Sequence, residues 1–288
     1  MYYLELTAWF TVGTLTMVDR DLSSALRGVW GRALRSIYCY QKELDCAACD
    51  FATCTYHVLF EKKFSSSEHY HPYIIQSRFN APGEIMVWFK FFGWICEHID
   101  KLVYSIVRMH SKAIFLQGEH LTLALKEIHD ENKLIYSSET STVKRPHLRK
   151  LLFSPQECPE LQITFKTPLR QKFQGSLMSD FKWEPFAKSL IKRIRYIDEH
   201  FNRSELMIPE NIEIGYDELG VDLHWSEKVR VSFRQDARMS IGGLIGTINI
   251  KGLSREMVAI LKLARFLHAG KQCTFGNGEL GIKKMSVP

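Results

Sequence analysis

The stretch from Ile241 to Gly281, IGGLIGTINIKGLSREMVAILKLARFLHAGKQCTFGNGELG, constrains this chain more than any other. Gly242, Gly243 and Gly246 precede one amphipathic helix, and Gly270, Gly276, Gly278 and Gly281 follow it. The helix carries Met257, Ile260, Leu261, Ala264 and Leu267 along its apolar face. Glycine reaches torsions closed to other residues and lets main-chain N–H groups approach an anion with no side chain in between. A phosphate is the expected guest: Lys271 supplies a cation, and Arg265 and His268 lie upstream on the helix. The alternative is a tight helix-to-strand turn with nothing bound, the better reading of a lone G-x-G. Lysine and Phe275 among so many glycines favour the anion. A Walker loop and a dinucleotide fingerprint are both excluded, because in each the glycines open a helix rather than follow one.

The chain has 288 residues, 45% of them apolar, enough for one large or two small cores. Its formal charge of +6 is unevenly spread. Between Lys144 and Arg195 there are twelve Lys and Arg against four acids, so the rest is slightly acidic. Such a belt attracts polyanions without saying which. The opening MYYLELTAWFTVGTLTM has no basic n-region and carries Glu5 in its apolar run, so no signal peptide is expected. No stretch reaches the roughly 18–20 uncharged residues of a spanning helix, and seven cysteines, an odd number, fit a reducing compartment. A cytoplasmic protein without a membrane partner is the expectation.

Periodicity predicts an α+β chain of two tandem ferredoxin-like (βαββαβ, RRM-like) domains, with a Cys-rich insert in the first. Residues 1–140 form the first domain, 141–160 a linker rich in Ser, Thr, Pro and charge, and 161–288 the second. A strand is expected over 2–17, then a helix over about 22–38 capped by Asp19 or Asp21, with Leu26, Val29, Trp30, Ala33 and Leu34 inward. Arg27, Arg32 and Arg35 project elsewhere, as a phosphate-contacting row or a solvated face. Gly28 and Gly31 suggest close packing against a neighbouring backbone. In the second domain a helix over 181–201 turns Phe186, Leu190, Ile194 and Ile197 inward and exposes Lys188, Lys192, Arg193 and Arg195. No aromatic signature of a base-stacking sheet is visible.

The insert 39–54 holds Cys39, Cys46, Cys49 and Cys54. Four thiols suit a tetrahedral structural Zn²⁺, and C-x2-C is the usual knuckle spacing. The first gap is long and no second C-x2-C follows, so free thiols of a cytosolic core stand as the equal alternative.

Several segments together resemble a known family. LHAGKQCTFGNGELGI, preceded by IGGLIGTINIKG, is similar to the C-terminal glycine-rich signature of the CRISPR-associated precursor-RNA endoribonucleases, the sixth Cas family of the RAMP superfamily. SALRGVWGRALRS (24–36), CTYHVLFE (54–61) and HPYII (71–75) resemble its N-terminal half, in the same order. The resemblance implies cleavage of CRISPR repeat RNA without a metal, the 2′-hydroxyl attacking the adjacent phosphate to leave a 2′,3′-cyclic phosphate and a 5′-hydroxyl. No cofactor is then required for catalysis. Such chemistry needs a base, an acid and a cation, and histidine suits both proton roles.

The family commonly places its catalytic histidine after the first helix. That window offers His57, His69 and His71; the favoured residues are His57 and His69, with Tyr38 and Lys63 as helpers, whereas His71 before Pro72 serves equally well as a structural residue or as the third candidate. RNA contacts are expected from Arg27, Arg193, Gly270, Lys271, Gly276, Gly278 and His268. The competing reading is a non-catalytic RAMP subunit that grips guide RNA. Partners are CRISPR repeat RNA and an interference complex, with a second copy of the chain as a homodimer compatible too.

Overall fold

The computed structural model describes residues 1–13, 22–41, 43–49, 54–62, 70–116, 119–232 and 237–285. The chain divides into two compact units, residues 2–150 and residues 151–288 together with Met1.

The first unit contains β1 (Tyr2–Val12), α1 (Ser23–Tyr38), α2 (Thr55–Phe60), β2 (Tyr73–Ala81), β3 (Glu84–Phe92), α3 (Ile99–Val107), β4 (Ala113–Leu116), β5 (Glu119–Asp130), β6 (Lys133–Ser137) and β7 (Arg149–Lys150). Its sheet runs β2-β3-β1-β5-β4, with β6 paired to β5 and β7 to β1. The central order β2-β3-β1-β5 is the ferredoxin-like one. β7 comes from the stretch expected to be pure linker.

β1 alternates because its sequence does: Leu4, Leu6, Ala8, Phe10 and Val12 enter the core, while Thr7, Trp9 and Thr11 stay partly exposed. The core closes on Trp30, wholly buried, whose Nε1 donates to Ser105 Oγ at 2.8 Å. Its ring meets Phe60, Tyr73, Phe89 and Phe91. A Cβ at Gly31 would come within 2.7 Å of the Phe60 ring, so this glycine makes room for an aromatic side chain, not for a backbone. Gly28 is exposed and packs against nothing closely. Asp19 and Asp21, the expected caps, lie outside the described residues; Leu22 occupies the cap position.

The sheet face opposite this core corrects one expectation. Trp9 on β1 and Trp88 on β3, both partly exposed, share it. An aromatic pair on the two central strands is present after all.

The second unit contains β8 (Glu160–Leu169), β9 (Lys172–Phe173), β10 (Ser176–Leu177), α4 (Trp183–Asn202), β11 (Glu218–Ser226), β12 (Val229–Ser232), β13 (Ala237–Ser240), β14 (Gly243–Lys251), α5 (Arg255–Leu267) and β15 (Leu280–Lys284). Its antiparallel sheet runs β11-β14-β8-β15, again ferredoxin-like, with β12 and β13 as a hairpin inserted between two sheet strands. Ser254 caps α5, its Oγ accepting the Met257 N–H at 3.2 Å. Among the described residues no helix is long and apolar enough to cross a membrane.

Candidate nucleic-acid interface

The glycines around α5 are spent on close backbone contact. A Cβ at Gly243 would lie 2.4 Å from Leu169 O, one at Gly270 2.5 Å from Arg170 O, and one at Gly278 1.7 Å from Ala269 O. The main-chain N–H groups are committed as well. Lys271 N–H donates to Arg170 O (2.7 Å), Gly276 N–H to Cys273 O (2.9 Å) and Gly278 N–H to Pro168 O (3.0 Å). The expected phosphate cradle is therefore filled by the chain's own carbonyls, and Gly276 and Gly278 are buried. His268 is likewise fully buried, its Nδ1 3.2 Å from Asn277 O, so it braces the loop rather than facing an anion. Lys271 remains exposed and Gly270 partly so.

Arg193 is a second correction. Only 4% exposed, it directs Nε and Nη2 to the Leu267 carbonyl at 3.1 and 2.9 Å, closing the C-terminal end of α5. The exposed side of α4 carries Lys188 and Lys192, with Arg195 half-buried beside them. These three border a groove of about 560 Å³ with Tyr196, Glu199 and Ile212. Arg195 is held there by the carbonyls of Pro209 and Glu210.

In the first unit Tyr38, at the C-terminal end of α1, borders a cavity of about 250 Å³ with Cys39, Cys54, Trp94, His98 and Lys101. His98 meets the Tyr38 ring edge-on at 6.0 Å between centroids, and Lys101 Nζ stands 4.7 Å over that ring. Trp94 flanks His98 at 6.2 Å. Burial pushes the Tyr38 hydroxyl up to about 12, partly offset by Thr55, so it stays protonated at neutral pH. His98, Lys101 and Trp94 were missed from the sequence. Their signal was legible: Trp94, His98 and Lys101 fall at i, i+4 and i+7, one face of a helical turn.

The other expected proton carriers are placed differently. His57 sits partly exposed on α2, outside the residues bordering that cavity. His69 and Lys63 lie outside the described residues. His71 Nδ1 is 2.8 Å from Leu59 O, and its ring packs 5.2 Å from Tyr73. Arg27 is engaged within the fold, Nε donating to Tyr73 Oη at 2.8 Å and the guanidinium 4.8 Å over Phe60.

Cys39, Cys49 and Cys54 border the same cavity. Burial raises the Cys46 thiol, against the pull of Arg35, and Cys39 and Cys54 are near enough to raise it further. Among the described residues, no three His, Cys, Asp or Glu side chains are grouped to hold a metal ion.

A family model described as an N-terminal domain matches residues 1–148, and that of the CRISPR-associated endoribonuclease Cas6 matches residues 163–280. A comparison with curated proteins returns no match. Among solved structures, a Cas6 product complex superposes with a TM-score of 0.62 at 11% identity, covering 98% of this chain and 100% of that one. Thermus thermophilus Cas6 gives 0.51 at 13% identity, covering 98% of each chain. A RAMP protein described as binding different RNA substrates gives 0.52 at 12% identity, covering 97% of this chain and 99% of that one. At such identity the likeness is one of fold.

Proposed function

Because this chain belongs to the CRISPR-associated Cas6 endoribonucleases, enzymes of CRISPR RNA processing, we propose that it cuts the repeat RNA of precursor transcripts into guide RNAs at the Tyr38 cavity. The carrying observation is the convergence of His98 and Lys101 on Tyr38 at the end of the first helix.

The reaction needs no metal. A base takes the proton of the 2′-hydroxyl upstream of the cut, a bond forms from that oxygen to phosphorus, and the phosphorus–O5′ bond breaks as an acid protonates O5′. Products are a 2′,3′-cyclic phosphate and a 5′-hydroxyl. Histidine exchanges protons near neutral pH, which suits His98 for base or acid. Lys101 supplies the cation for the charge building on the phosphorane. Tyr38, its hydroxyl buried and held protonated, does not act as base; its ring positions His98 and Lys101.

Single-turnover cleavage of repeat RNA tests the assignment. His98→Ala is expected to slow cleavage by about 10²- to 10⁴-fold while RNA affinity stays near wild type. Wild-type cleavage by His98→Ala, with activity lost in His57→Ala or His69→Ala instead, would move the chemistry out of this cavity. Tight binding with no product from the wild-type chain would favour the non-catalytic RAMP reading.

A further inference from the structure

We propose that the sheet face opposite the first unit's core, where Trp9 and Trp88 are partly exposed, is a stacking platform for unpaired nucleotides of RNA, with these two residues as its rings. The inference extends the RNA-processing reading to how substrate is held, and it rests on that reading only for the identity of the RNA.

Strand register places the rings. Thr7 pairs with Trp88 and Trp9 with Met86, so the two tryptophans are diagonal neighbours on the central strands. Diagonal neighbours on one sheet face are roughly 7–8 Å apart, within reach of adjacent nucleotides. Leu4, Leu6, Ala8, Phe10 and Val12 of β1 point the other way; on this face Tyr3, Ile74, Lys90 and Phe92 are buried at one end, and Trp9 and Trp88 stay partly exposed beyond them. Beside the rings β2 sets Gln76 opposite Trp88 and Arg78 opposite Met86, and β5 sets His129 opposite Thr7. These side chains offer hydrogen bonds to base edges and a cation for phosphate.

The charges fit a polyanion. Two carboxylates on this face are paired with lysines, Glu5 with Lys90 at 4.0 Å and Glu84 with Lys126 at 2.8 Å, and Glu127 is hydrogen-bonded to His129 at 2.8 Å. Arg78, exposed at the sheet edge, adds a positive charge to that balance. A sheet of this strand order with aromatics on its two central strands is the arrangement by which RNA-recognition modules stack bases. The second unit lacks it: the corresponding face there carries Gln162, Thr164, Thr247 and Asn249, with Gln162 bonded to Asn249 at 3.1 Å.

The test measures affinity of the whole chain for repeat RNA and for a short unstructured oligouridylate, alongside single-turnover cleavage. Trp88→Leu and Trp9→Leu are each expected to weaken oligouridylate binding by about 10- to 100-fold, as loss of one base stack does, with Trp88→Tyr restoring most of it. Melting temperatures near wild type show that the variants are folded, and single-turnover cleavage at subsaturating repeat RNA falls with the affinity. Wild-type affinity in both leucine variants overturns the platform, whether a protein or nothing covers the face. In that case persisting cleavage leaves the endoribonuclease reading intact; a wild-type chain that neither binds nor cuts repeat RNA ends both.

Discussion

Glycines that look alike in the sequence carry different loads. Gly278 (φ +71°) combines a left-handed torsion with a carbonyl in the space a methyl would take, whereas Gly175 (φ +83°) has the torsion and open space. Gly278→Ala should cost roughly 2–4 kcal/mol, torsion and overpacking together, and Gly175→Ala only about 1 kcal/mol. Denaturant unfolding of the two variants checks the contrast. Arg193 and Lys192 make a similar pair. Arg193→Ala strands the Leu267 carbonyl inside the fold and should destabilise by about 1–3 kcal/mol. Lys192, exposed beside the groove, should on replacement by Ala cost less stability than Arg193→Ala and shift RNA affinity and its salt slope by at most about one phosphate contact. Equal melting temperatures for the two variants would contradict the assignment. The inward turn of Arg193 was readable: Phe186, Leu190, Arg193 and Ile197 lie at i, i+4, i+7 and i+11, so the arginine falls on the apolar stripe. What the sequence concealed is the carbonyl waiting for it, since a glycine shows the absence of a side chain but not who fills the space.

At the scale of elements, α4 ends in a buried polar knot. Asp198 Oδ1 accepts from Asn202 Nδ2 at 2.6 Å and from the Leu206 N–H at 3.2 Å. Those bonds favour the carboxylate, yet burial outweighs them and holds its pKa above the ordinary value of 3.8. A carboxyl raised in the folded state stabilises fully below its unfolded pKa, and that contribution is lost as pH rises through the folded one. The melting temperature of Asp198→Asn should therefore gain on wild type as pH climbs from near 4 toward 7. A difference that stays flat or shrinks would mean the carboxylate is not desolvated. Helices and strands themselves were largely legible, because periods of 3.6 and 2 write themselves into apolar spacing: α1 and α4 fall within two residues of expectation. The aromatic pair was not. Alternation with Leu4, Leu6 and Phe10 already sends Trp9 to the far face, but only strand register brings it beside Trp88.

For the whole molecule, two ferredoxin-like units follow from repeated β-α-β-β-α-β patterning, and the family follows from ordered motifs in both halves. The site divides less evenly. Tyr38 was expected and stands at a cavity, while His98 and Lys101 come from a segment the chain reaches some sixty residues after Tyr38. Such convergence depends on how α1 and α3 pack around one core, which spacing alone does not encode. Everything functional rests on the chemistry at a scissile phosphate, and the ends of the RNA fragments report it directly. Incubated with repeat RNA in EDTA, the protein should release a 2′,3′-cyclic phosphate on one fragment and a 5′-hydroxyl on the other, with cutting abolished when the nucleotide before the scissile bond is 2′-deoxy. Cleavage that requires magnesium, or that proceeds on the 2′-deoxy substrate, would contradict the account.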